Sequence, residues 1–151
     1  MSDTPEQRSD VAAAMSQQNL ELVREAYTRW QAGDYDSLLD FFLSSSCPDV
    51  ELYSRFGALA GEPYRGHEGV RAWLAEIQEN FEHFEPWLDE ARDAGEGRVV
   101  ALGGIHFRAR ESGVDMAERM GWVQEFRDGR LSRMMFYGSP GEALEAVGLD
   151  E

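Results

Sequence analysis

The chain has 151 residues, 42% of them apolar and 11% aromatic, which suits one domain with a sizeable core and excludes a disordered linker. Acids outnumber bases 29 to 14, for a formal net charge of −15, so nucleic-acid backbones and anionic membranes are excluded as partners. One cysteine, Cys47, excludes an internal disulfide and a cysteine-built zinc cluster.

Met1–Met15 is polar, acidic and Ala-rich, and reads as a flexible tail before a single domain over 16–151. Neither a secretory leader nor an apolar run of membrane-spanning length is visible, so a cytoplasmic protein is expected. Ser16 is a candidate N-cap for a helix running to about Ala32, with Leu20, Val23, Tyr27 and Trp30 at helical spacing. On its wet side Glu25 and Arg29 have the favourable i,i+4 order. Gly33 can take the left-handed geometry that ends a helix. Asp34 or Asp36 then caps a short helix carrying Leu38, Leu39, Phe41 and Phe42.

Pro48 breaks that helix, and Val50–Phe56 reads as a strand. After a loop over Gly57–Gly66, a helix is predicted from His67 to about His83, with Val70, Trp73, Leu74, Ile77, Phe81 and Phe84 as its apolar stripe. Four strands follow: Trp87–Ala94, Arg98–Arg110, Val114–Arg127 and Leu131–Tyr137. The Gly103-Gly104 pair predicts a bend or bulge, and Asp128-Gly129 a tight hairpin. Ser139-Pro140 opens a short terminal helix. Helices placed before a run of strands indicate an α+β fold. A bent antiparallel sheet wrapped around the first and third helices would enclose a cone-shaped cavity.

The stretches AYTRWQAGDYDSLLDFF (Ala26–Phe42), YRGHEGVRAWLAE (Tyr64–Glu76), FRDGRL (Phe126–Leu131) and EALEAVGL (Glu142–Leu149) resemble the SnoaL-like branch of the nuclear transport factor 2-like superfold. The resemblance spans most of the chain from Gln17 on. It implies a cone lined by the concave sheet face, and a homodimer formed through the outer face. It does not fix the function, because the superfold hosts isomerases, cyclases, hydrolases, dehydratases and non-catalytic binding modules.

Ketosteroid isomerases of this fold use a proton-shuttling Asp, a Tyr and a protonated Asp to handle an enolate. Aligned on the shared motifs, those three positions hold Leu52, Ala26 and Trp122 here. The Asp and His of SnoaL-like cyclases fall on Trp122 and Met134. Neither set is carried over. A one-residue shift of register exchanges sheet faces, which keeps Tyr27 and Tyr53 as candidates.

Two titratable residues remain as candidate acid–base groups. His106 would titrate near neutrality if it faced the cone, and is otherwise a sheet or interface histidine. Glu118 shares the alternating face of Met120, Trp122, Gln124 and Phe126. In an apolar cone it would be a proton-transfer group, and at the rim a solvated carboxylate. His67 and His83 flank the third helix without metal-site spacing, so no metal and no cofactor is expected. Cys47 has no basic neighbour to activate it.

The candidate ligand-binding wall is Trp30, Trp73, Met120, Trp122, Met134, Phe136 and Tyr137, with Tyr hydroxyls as orienting groups. Two functions follow. One is a pocket protein for a small apolar organic ligand, or an isomerase/cyclase-type enzyme in which His106 or Glu118 moves a proton and Tyr27 or Tyr53 steadies the oxyanion. The other is a non-catalytic binding or dimerisation module with the cone filled by Trp30, Trp73 and Trp122.

Overall fold

The structure is a computed structural model and describes residues 5–54 and 62–150, with side chains from Asp10 on. The order is α1 (Pro5–Ala32), α2 (Tyr35–Ser45), β1 (Ser46–Tyr53), β2 (Tyr64–Arg65), α3 (Gly66–Asn80), β3 (Phe81–Gly95), β4 (Arg98–Ala109), β5 (Asp115–Arg127), β6 (Arg130–Tyr137) and α4 (Pro140–Ala146). The six strands form one curved, open sheet in the order β2-β1-β6-β5-β4-β3. It is α+β as expected, but the sheet is mixed: β1 runs parallel to β6, and the other pairs are antiparallel.

Helix α1 begins at Pro5, so Ser16 lies inside it and caps nothing. Proline suits a first turn, and the alanines at 12–14 favour helix without needing burial. From Asp10 on, Asn19 is the first fully buried residue, and Val23, Ala26, Tyr27 and Trp30 form the buried stripe. On the wet face Arg29 Nε donates to Glu25 Oε1 at 2.9 Å. Gly33 closes the helix at φ +75°, and Asp34 caps α2 by accepting from Ser37 N–H at 3.1 Å.

Strand β1 starts at Ser46, before Pro48, which lies where the β1–β6 register shifts between Ser46 and Glu51. Proline has no N–H for a ladder, so it sits at this interruption. The expected end at Phe56 lies outside the described residues.

The largest correction is at the end of α3. The helix stops at Asn80, and Phe81, His83 and Phe84 belong to β3. Apolar residues at 77, 81 and 84 also fit a helix, but here they pair with β4, Phe81 opposite Ala109 and Phe84 opposite Phe107. β3 is an edge strand, which is where Pro86 is tolerated. The Gly103-Gly104 pair faces Leu88 and Trp87, beside a register shift between Leu88 and Glu90. A side chain on either glycine would collide with Trp87.

Both faces of the sheet centre are apolar. Val99, Ala101, Ile105, Met120, Trp122, Leu131 and Met134 pack on the concave side against α1, α2 and α3. Val100, Leu102 and Val123 face outward beneath Ala143, Leu144 and Val147. α4 is thus a second layer over part of the outer face, capped by Ser139, whose Oγ accepts from Glu142 N–H at 3.2 Å.

Candidate functional site

A cavity remains between the concave face and the helices. Its wall comes from α1 (Ala26, Tyr27, Trp30), α2 (Phe42), β1 (Leu52, Tyr53), α3 (Trp73), β3 (Phe84, Pro86), β4 (Ile105), β5 (Trp122, Gln124) and β6 (Met134, Phe136), with Ser54 at its edge. The rings interlock largely edge to face. Tyr27 meets Trp122 at 5.7 Å between centroids, Trp30 meets Trp73 at 5.8 Å, Phe42 meets Trp73 at 5.5 Å, and Trp122 meets Phe136 at 5.4 Å. Such contacts suit the positive edges and negative faces of the rings and stiffen the wall.

The rings occupy most of the cone. The cavity measures about 40 Å³, room for roughly three or four waters at 10–15 Å³ each. Tyr53, Ser54 and Phe136 also border an open depression with Gly138 and Glu142, so the mouth lies there.

Of the wall predicted from sequence, Trp30, Trp73, Trp122, Met134 and Phe136 line the cavity. Met120 is on the concave face but sealed in the core, outside the lining. Tyr137 is a correction: it packs with the outer cluster under α4, and its hydroxyl reaches Met135 Sδ at 3.9 Å.

The acid–base candidates separate in the same way. Tyr27 lines the cavity, 6% exposed, and burial pushes its hydroxyl pKa above the ordinary tyrosine value, so it stays protonated and can donate. Tyr53 borders the mouth, with the Arg133 guanidinium 5.0 Å from its ring centre.

His106 does not face the cone. Strand alternation sends Ile105 and Phe107 inward and His106 outward, where its Nε2 lies 2.8 Å from Asp115 Oδ1 and its ring 4.7 Å from that of His83. Arg108 Nη2 donates to the other oxygen of Asp115 at 2.7 Å. Arg108 first, and His106 after it, hold the Asp115 carboxyl below the usual range. Glu118 is half-buried opposite Ile105 and is not part of the lining. Neither residue lines the cavity.

His67 Nε2 lies 3.3 Å from Ser46 O, tying α3 to β1. Cys47 is buried with its thiol 3.8 Å from Arg130 O. Among the described residues no group of three or more His, Cys, Asp or Glu is arranged to hold a metal ion, and no helix is long and apolar enough to cross a membrane.

The sequence pattern marks neither Gln124 nor the apolar lining residues Phe42, Leu52, Phe84 and Ile105. Gln124 is 6% exposed, faces the cavity from β5, and among the described residues its Oε1 has no partner. A polar residue between Trp122 and Phe126 on an inward face was the available signal.

The SnoaL-like domain family matches residues 23–134. The chain belongs to the SnoaL-like family. Many solved structures share its fold, and three illustrate the likeness. An NTF2-like protein of unknown function from Burkholderia pseudomallei K96243 is 22% identical, covering 86% of this chain and 97% of its own, with a TM-score of 0.65. TerC, co-crystallised with polyporic acid, is 22% identical over 87% and 98%, with a TM-score of 0.65. A SnoaL-like polyketide cyclase, so described provisionally, from Jannaschia sp. CCS1 is 16% identical over 91% and 90%, with a TM-score of 0.69. No curated protein matches the sequence.

Proposed function

We propose that this SnoaL-like protein binds a compact, uncharged organic molecule in its aromatic cone and performs no proton transfer with its own side chains. One observation carries the reading. Among the described residues the cavity wall has eight aromatic rings and no Asp, Glu, His, Lys, Arg or Cys. Proton abstraction at neutral pH needs a group that gains and loses a proton there. Tyr27 is held protonated and Gln124 does not titrate.

The charge pattern also selects the ligand. An anion would enter a protein of net charge −15 with no cation in the wall, and a buried ammonium would find no carboxylate there. A neutral molecule meets neither penalty. TerC, a relative of the same fold, was crystallised with the organic molecule polyporic acid, which supports a small-molecule role for the cone. At about 40 Å³ the cavity admits a ring only when Tyr53 and Phe136 at the mouth turn aside, a side-chain adjustment common on binding.

The small cavity equally favours the second reading, a non-catalytic module whose cone is closed by its own indoles. A homodimer through the outer face remains part of both readings, with Trp87 and His83 on β3 and His106 on β4, outside the cluster that α4 covers. Titration of the full chain with small aromatic compounds, followed through the indole N–H resonances of Trp30, Trp73 and Trp122, separates the readings. Saturable shifts support binding. No response at millimolar concentration overturns it in favour of the closed module.

A further inference from the structure

We infer that Gln124 is the polar anchor of this cavity and selects a neutral ligand carrying a hydroxyl group, an inference that rests on the binding reading above. Gln124 pairs across the sheet with Met134, and its Nε2 lies 3.7 Å from Met134 Sδ. A thioether sulfur only accepts. The amide NH₂ end therefore turns toward Met134, and Oε1 is left without a donor.

Buried polar groups are ordinarily satisfied, and each orphan calls for an explanation. Leucine or methionine at this position would fill the same space without that penalty. Gln124 also borders a side cavity of about 20 Å³ beneath Val23, Phe42 and Leu131, so its amide separates two small voids. A ligand reaching it from the main cavity would supply the missing donor.

The orphan atom also fixes the ligand's functional group. A carbonyl or an ether accepts and cannot donate, so it would leave Oε1 unpaired. A hydroxyl donates to Gln124 Oε1 and can accept from the protonated Tyr27 hydroxyl in the same wall. Sites built to hydrogen-bond a hydroxyl reject analogues lacking it, because the site's own buried groups then go unpaired.

The test uses three ligands of similar shape on the full-length protein: phenol, toluene and anisole, titrated by calorimetry and ligand-detected NMR. Phenol is expected to bind about tenfold more tightly than toluene. Anisole, which can accept from Tyr27 but cannot donate to Gln124, should bind more weakly than phenol. In Gln124→Leu the preference for phenol over anisole should vanish while toluene still binds, which also reports that the variant is folded. Equal binding of the three by the wild type overturns the anchor but leaves the pocket standing. Survival of the preference for phenol over anisole in Gln124→Leu also overturns the anchor. Loss of stability in unliganded Gln124→Leu would mean that a buried water already satisfies the amide, and overturns it too. Binding of none of the three removes the pocket reading and the anchor with it.

Discussion

Gln124 on β5 and Met134 on β6 face each other on the concave side of the sheet, and their side chains meet through an amide N–H to sulfur contact at 3.7 Å. This leaves one buried amide oxygen unsatisfied at a cost of roughly 1–3 kcal/mol. Gln124→Leu should therefore raise the stability of the unliganded protein, by about 1–2 kcal/mol after allowing for imperfect packing of the new side chain. Urea denaturation with an unchanged m-value would register this as a higher midpoint. Gln124→Ala should not, because it opens a cavity beside Trp122.

Trp30 is the keystone of the aromatic wall. It meets Tyr35 at 5.9 Å, Trp73 at 5.8 Å and Phe84 at 5.6 Å, joining α1 to α2, α3 and β3. Trp30→Ala should cost about 3–5 kcal/mol, and Trp30→Phe clearly less, since a ring keeps part of each contact. If Trp30→Ala costs under 1 kcal/mol by equilibrium unfolding, the wall is not the tightly packed unit described here.

The overall fold was readable from sequence because long periodic segments, Asp34, Gly33 and the Asp128-Gly129 turn all pointed to the same elements. The face of each strand was harder. His106 lies between Ile105 and Phe107, and the alternation is visible, but α4 makes the outer face apolar as well. Val100 and Leu102 outside therefore read no differently from Val99 and Ala101 inside. Tyr137 was assigned to the cone for the same reason. Phe81 and Phe84 satisfied a helical spacing until β4 offered them strand partners. Which of Trp30, Trp73 and Trp122 would leave space between them depends on ring angles that no sequence pattern encodes.

His106→Ala tests the assignment of that residue to the outer face. Its side chain is 45% exposed and paired with Asp115, and exposed pairs contribute little. Stability should change by less than about 0.5 kcal/mol, and binding of any cavity ligand should be unchanged within twofold. A tenfold loss of affinity with wild-type stability would return His106 to the site and revive the proton-transfer reading.

Tyr64 gives a pH dependence of defined sign. Its hydroxyl donates to Glu76 on α3, and burial first, then the Glu76 hydrogen bond and charge, push its pKa up to about 12. The ordinary value, near 10, applies in the unfolded chain. Because the folded value is the higher one, the unfolded state loses this proton first as pH rises. The contribution is fully present below about pH 10 and is lost as pH climbs toward 12. Tyr64→Phe has no proton to lose, so its stability should fall less steeply over that range. Tyr27, also raised by burial, should keep some alkaline sensitivity in the variant. Unfolding free energies at pH 8, 10 and 11.5 check this, and parallel curves for the two proteins would show that the Tyr64 proton is not linked to folding.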